Sequence, residues 1–189
     1  RYTIVFNGEI YNYRELGDST SDTRVLLQLL VEKGVEALPL LRGMFAFALW
    51  DKEKQELLLV RDPFGKKPLY YAVVNGAVIF ASEIKALLAY PGISKQLDRE
   101  AVAKYFLYEY IPAPATPFVA IKQVPMGSYV RFTQRGEDIK QWWQLDFKPK
   151  NLLSLAEASR QLDHLLEQAV ARRMVADVPG GVFLSGGLD

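Results

Sequence analysis

The chain has 189 residues, half of them hydrophobic, with 23 Lys and Arg against 22 Asp and Glu and a formal charge of +1. That length buries one large domain, or one domain and part of a second, and the balanced charge excludes the strong field of a nucleic-acid or anionic-membrane binder. With no cysteine and one histidine, disulfides, thiolate metal sites and a cysteine nucleophile within these residues are excluded, and chelation by paired imidazoles has no support.

The first element, Tyr2 to Phe6, has the β-branched and aromatic composition of a strand. Ile10, Tyr13 and Leu16 then recur every third residue, as on one face of a helix. The sequence therefore predicts strand, tight turn at Asn7-Gly8, then helix, with a hairpin at that dipeptide as the other reading. A turn of this kind can set a side-chain amide beside a backbone N–H, and two convergent neutral donors are what a developing oxyanion needs.

Ser19 to Thr23 is a cluster of cap-forming residues ahead of Val25, Leu26, Leu29 and Leu30, with Gly34 as the stop. On residue type alone Asp22 reads as the N-cap of this helix. A second short helix is expected over Val35 to Leu41. Gly43 then introduces Met44 to Trp50, in which Phe45, Phe47 and Leu49 take one face and Ala46, Ala48 and Trp50 the other. Such a strand is covered on both sides, and its aromatics are core. Glu56 to Val60 is the next strand, and Arg61-Asp-Pro-Phe-Gly65 the next tight turn. A second Asn-Gly, at 75–76, lies between two apolar strands with no helical pattern after it, so there the hairpin reading wins.

Ser82 opens a short helix closed by Pro91-Gly92, and Asp98 caps another over Arg99 to Tyr110. Three prolines between Ile111 and Pro117 force an extended arm within a proline-rich insertion spanning 93–121. Val124 to Trp143 reads as a closing hairpin, with Trp142 and Trp143 as packing residues. Ser154 and Glu157 form a capping box for a helix whose buried face would be Leu162, Leu165, Leu166, Ala169 and Val170. His164 lies off that seam and reads as a surface residue. Gly181 to Leu184 is a short strand running into Ser185-Gly-Gly-Leu-Asp189, a glycine-rich turn able to aim N–H groups at an anion. It lacks the lysine and hydroxyl pair of a P-loop.

Taken together, Asn7-Gly-Glu-Ile-Tyr-Asn12, Gly43-Met-Phe-Ala-Phe-Ala48, Arg61-Asp-Pro-Phe-Gly65, Ala81-Ser-Glu-Ile-Lys-Ala86 and Val182-Phe-Leu-Ser-Gly-Gly-Leu-Asp189 resemble, in order, the motifs of glutamine-hydrolysing asparagine synthetases. The resemblance implies an α+β fold. Residues 1–147 would form a class II glutamine amidotransferase domain, a four-layer αββα N-terminal-nucleophile hydrolase sandwich incomplete at its start. A linker over 148–153 would lead to the beginning of a parallel α/β ATP-binding domain at 154–189.

By the same resemblance an upstream cysteine attacks the glutamine amide, Asn7 and Gly8 hold the oxyanion, Glu9 shapes the pocket, and Asp22 grips the α-ammonium. Leu184, Ser185, Gly186 and Gly187 would hold ATP, and Asp189 would hold Mg²⁺. The implied reactions are glutamine hydrolysis to glutamate and ammonia, and ATP-dependent amidation of aspartate to asparagine with release of AMP and pyrophosphate. The parent protein is expected to be cytoplasmic, with no nucleic-acid or membrane partner, and a homodimer is left open. The 189 residues alone are expected to be inactive. Two alternatives stay open: a β-lactam-synthetase-like ligase without glutaminase activity, and a non-catalytic amidotransferase-like scaffold.

Overall fold

A computed structural model of the chain describes residues 1–148, 150–175, 180, 181, 183, 185 and 186, and the chain falls into two units, Arg1–Leu145 and Asp146–Asp189. In the first, strand β1 (Tyr2–Ile10) lies antiparallel to β2 (Gly43–Asp51), in a register that sets Phe6 opposite Phe47 and Gly8 opposite Phe45. The charged bend after Asp51 leads into β3 (Glu56–Arg61). A second sheet is built from β4 (Tyr70–Val74), β5 (Ala77–Ala81) and the short β6 (Lys122–Gln123), in the order β5-β4-β6. Finally β7 (Ser128–Thr133) and β8 (Gly136–Gln141) complete the first sheet as β1-β2-β3-β7-β8.

The hydrophobic alternation of β2 explains how the layers stack. Ala46 and Ala48 join Leu59, Leu69, Tyr71, Val124, Val130 and Phe132 in the core between the two sheets. Phe45 and Phe47 fall on the opposite face, on the side where helix α2 (Asp22–Lys33) packs on β1 with Val25, Leu26, Leu29 and Leu30 buried. Beyond the second sheet, α3 (Ile84–Leu88) packs on β4 and β5 through a cluster of Ala72, Leu87, Ile93 and Ile121. The order is helix, sheet, sheet, helix: an αββα sandwich. Each large apolar side chain fully buried in these layers contributes roughly 1.5–3 kcal/mol.

Between these layers Arg61 and Asp62 fix the turn that closes β3. The Asp62 carboxylate is 1% exposed and accepts the amides of Phe45, Phe64, Lys66 and Lys67 at 2.9–3.2 Å. The Arg61 guanidinium donates to the carbonyls of Lys67, Val124 and Gly65 at 2.7–2.9 Å. Lys66 and Lys67 thus belong to a turn organised by its backbone. Burial pushes the Arg61 pKa below its ordinary value, with the nearby Tyr70 and Asp62 opposing.

Several local readings agree with the structure. Asn75 and Gly76 both have positive φ, 49° and 80°, and join β4 to β5 as a two-residue hairpin. Asp98 caps α4 (Arg99–Tyr108), its carboxylate accepting from the Ala101 amide at 3.0 Å. Trp142 stacks on Phe45 with ring centroids 6.3 Å apart, and Trp143 lies 4.9 Å from Phe64.

The turn expected at Asn7-Gly8 is absent. β1 runs through both residues to Ile10, and only a four-residue helix, α1 (Tyr13–Leu16), follows. Gly8 serves a close approach instead: at φ +151° an added Cβ would lie 2.2 Å from the Met44 carbonyl oxygen and 2.7 Å from Phe45 Cα. The every-third-residue pattern that suggested a longer helix is the last residue of a strand followed by a single turn. The helix expected over Val35 to Leu41 is a 3₁₀ helix over Gly34–Leu40.

In the second unit, α5 (Leu155–Arg173) starts at the predicted capping box. Hydrogen bonds from the Ser154 hydroxyl and backbone hold the Glu157 carboxyl below its ordinary pKa. The face expected to be buried is not: Leu162, Leu165, Leu166 and Val170 are each more than half exposed. The amphipathic pattern is present, but no described residue covers it. His164, exposed, contacts Gln168 one turn on.

Candidate active site at the end of β1

The candidate residues for glutamine recognition come from two neighbouring elements. Asn7, Gly8 and Glu9 occupy the last part of β1, and Asp22 is the first residue of α2. Contrary to the reading from residue type, the N-cap is Ser21, which makes no side-chain capping bond. Asp22 turns back to the strand instead. Its Oδ2 accepts the Ile10 amide at 3.1 Å, while Oδ1 accepts the Thr23 amide at 2.5 Å and the Thr23 hydroxyl at 3.1 Å.

The bond to Ile10 also reveals the direction of the strand's other amides. Among the described residues β1 is paired on one side only, with β2, at the edge of its sheet. In an antiparallel ladder alternate residues turn their N–H groups toward and away from the partner. The Tyr11 amide goes to the Arg42 carbonyl on the β2 side, and the Ile10 amide goes to Asp22 on the open side. Two residues back, Gly8 shares the parity of Ile10, so the alternation sets its N–H on the same open edge. The spacing along the strand between these two amides is roughly 6–7 Å.

The Asp22 carboxylate retains acceptor capacity at that edge. An ionised carboxyl offers about four lone-pair sites, and the three donors from Ile10 and Thr23 fill three of them. The edge therefore presents a backbone donor at one end and a carboxylate with an open acceptor position at the other.

Asn7 lies on the neighbouring position, exposed, opposite Ala46 of β2. Because Ala46 faces the second sheet, so does Asn7, and its Nδ2 donates to Ser82 Oγ at 3.2 Å. Residue type predicts Ser82 as the cap of α3. The helix is entered through Glu83, with no side-chain capping bond, and the serine oxygen takes up Asn7 instead.

Two further buried polar residues, neither singled out from the sequence, hold this end of the strand. Asn12, 6% exposed, donates from Nδ2 to the Leu40 carbonyl at 3.0 Å and accepts the Arg42 amide at 2.8 Å, which fixes the entry to β2. Asp62 holds the Phe45 amide opposite Gly8. Each sits in a motif, Asn7 to Asn12 and Arg61 to Gly65, whose spacing was legible although the partners were not.

A cleft of about 940 Å³ opens between the sheets, lined among others by Thr3, Val5, Ala48, Trp50, Val78 and Phe80. Its walls are mostly apolar, and Asn7, Gly8, Glu9 and Asp22 are not among them. It is part of the sandwich core left open beside β1, where Val5 is 57% exposed.

For the nucleotide loop, Ser185 and Gly186 are exposed, while Leu184, Gly187 and Asp189 lie outside the described residues. Among the described residues no group of three or more His, Asp and Glu could hold a metal ion, and no helix is long and apolar enough to cross a membrane.

Comparison with known proteins agrees with this fold and these motifs. The glutamine amidotransferase domain model matches residues 1–143, and the asparagine synthase model matches residues 161–189. Two proteins of Bacillus subtilis, asparagine synthetase [glutamine-hydrolyzing] 1 and 3, are 38% and 36% identical over the whole of this chain. The chain spans 31% and 32% of their lengths, about a third. A glutamine phosphoribosylpyrophosphate amidotransferase structure from B. subtilis superposes with a TM-score of 0.53 at 20% identity, over 76% of this chain and 30% of that one. The similarity in fold is to an amidotransferase sandwich. The chain is thus similar to asparagine synthetases over its whole length and belongs to the glutamine amidotransferase domain family.

Proposed function

We propose that residues 1–147 are the glutaminase part of a glutamine-hydrolysing asparagine synthetase, with the glutamine site along the open edge of β1. The observation that carries this reading is the Asp22 carboxylate bound to the Ile10 amide. It lies one strand repeat from the Gly8 amide on the same edge, a separation suited to the two ends of one glutamine molecule.

In this reading the substrate's α-ammonium occupies the open acceptor position of Asp22, and Glu9 borders the pocket. The side-chain carboxamide lies with its oxygen toward the Gly8 N–H and the Asn7 carboxamide. The nucleophile, a cysteine, comes from outside these 189 residues, which contain none. Its sulfur attacks the amide carbon, and the carbonyl oxygen gains negative charge. Two neutral donors fixed before reaction stabilise that oxygen more than they stabilise the ground-state carbonyl, which lowers the barrier. Collapse of the tetrahedral intermediate releases ammonia, and water then frees glutamate from the acyl-enzyme.

The match over residues 161–189 and the names of the curated relatives support a second activity of the parent protein, the ATP-dependent amidation of aspartate with that ammonia. ATP would supply activation of the carboxylate, with Leu184, Ser185, Gly186 and Gly187 holding it and Asp189 holding Mg²⁺. The parent protein would be cytoplasmic.

The test is glutamine hydrolysis by the full-length parent protein. Asn7→Ala removes one oxyanion donor and should lower kcat by about 10²–10³-fold while asparagine formation from free ammonia persists. Asp22→Asn should raise KM for glutamine by roughly 10–100-fold, as expected for losing a charged hydrogen bond. Unchanged glutamine kinetics in both variants would reject the site.

A further inference from the structure

We infer that Ser82 is a positioning residue for glutamine hydrolysis, holding the Asn7 carboxamide in the orientation that the oxyanion requires. The inference rests on the reading of Asn7 given above and adds the residue through which the second sheet takes part in that site.

Asn7 and Ser82 are 75 residues apart in sequence, and their side chains meet at 3.2 Å. Both backbones are anchored at that point. Asn7 is paired with Ala46 in the first sheet, and Ser82 follows Ala81, which is paired with Tyr70 in the second. The bond therefore ties the two sheets together beside the candidate oxyanion donors.

Among the described residues the serine hydroxyl does not cap the helix that follows it. α3 begins at Glu83 without a side-chain cap, so Ser82 is not used where a serine before a helix is usually used. Its partner is the one side chain at this end of β1 that the proposed chemistry needs in a single orientation.

Asn7 is exposed. Without a partner its carboxamide would sample several rotamers, and a donor that must be ordered during the reaction stabilises charge less than one already in place. A primary amide carries two N–H bonds pointing in different directions. Ser82 takes one, which fixes the plane of the group and leaves the other for the substrate oxygen. Only the orientation of the donor depends on Ser82; the Gly8 amide and Asp22 do not. Loss of Ser82 should thus weaken the transition state more than the binding of glutamine.

The experiment is steady-state glutamine hydrolysis by the full-length parent protein carrying Ser82→Ala, Ser82→Thr, Asn7→Ala, and Ser82→Ala combined with Asn7→Ala. We expect Ser82→Ala to lower kcat by about tenfold, less than the loss of an oxyanion donor itself, with KM for glutamine changed less than about twofold. Ser82→Thr, which keeps the hydroxyl, should recover most of the lost kcat. In the Asn7→Ala background, Ser82→Ala should add no further loss, because the two residues act as one unit. Wild-type kcat in Ser82→Ala, a loss confined to KM, or an additive loss in the double variant would overturn the inference while leaving the Asn7 site standing. Wild-type kcat in Asn7→Ala would overturn the site itself, and this inference with it.

Discussion

Gly8 carries a constraint that only the folded chain reveals. Its φ of +151° and the 2.2 Å gap between a hypothetical Cβ and the Met44 oxygen mean that any side chain must displace backbone of the neighbouring strand β2. Gly8→Ala should therefore destabilise the fold by at least ~2 kcal/mol, read as a lowered urea midpoint. Asp62 is constrained in a different way. Replacing it by Ala strands four amides, three of them in one turn, and should cost on the order of 3–5 kcal/mol. A variant of near wild-type stability would show that the turn finds other acceptors. At Asp51 the Arg1 guanidinium, donating at 3.1 and 3.2 Å, joined by the amides of Lys54 and Glu53, lowers the carboxyl pKa to about 2 from an ordinary 3.8. The folded state binds that proton less readily than the unfolded chain. The pair's stabilisation is thus fully present above the ordinary value and is lost as pH falls through about 2. Denaturation of Asp51→Asn from about pH 5 down to about pH 2.5 should show a shallower acid loss than wild type; identical slopes would mean that the pair adds nothing.

Elements set by local chemistry were legible, and those set by distant partners were not. The hairpin at Asn75-Gly76, the cap at Asp98 and the box at Ser154 with Glu157 all follow from residues within a few positions of one another. Gly76→Ala, forcing a side chain into φ +80° in open space, should cost about 1 kcal/mol with no change in the sheet; a larger loss would mean that the hairpin register slips. The same dipeptide at 7–8 misled because what decides it is pairing with residues 43–51, a segment more than thirty positions away. Within a short window, a strand end followed by one helical turn has the hydrophobic spacing of a helix. α5 shows the opposite case: its spacing does define an apolar stripe, but burial depends on what packs over it, and its leucines are exposed. At the site, the motif contains Asn7 and Gly8, and only the family resemblance added Asp22, whereas the Asp22 bond to Ile10 and the Ser82 bond to Asn7 depend on tertiary contacts that no spacing rule contains.

At the scale of the first unit, the sandwich converts separate motifs into one edge. The first sheet supplies β1, the helix layer brings Asp22 to it, and the second sheet brings Ser82. In the proposed site the oxyanion donors would be the side chain of Asn7 and the main chain of Gly8, and packing against β2 by itself requires glycine at that position. The most direct measurement is a structure of the full-length parent protein after reaction with the glutamine analogue 6-diazo-5-oxo-norleucine. The account predicts that the adduct's ketone-derived oxygen lies about 2.7–3.1 Å from both Asn7 Nδ2 and the Gly8 nitrogen, with its ammonium on Asp22. An oxygen held by other donors, or a Gly8 amide committed to the β2 ladder, would contradict it.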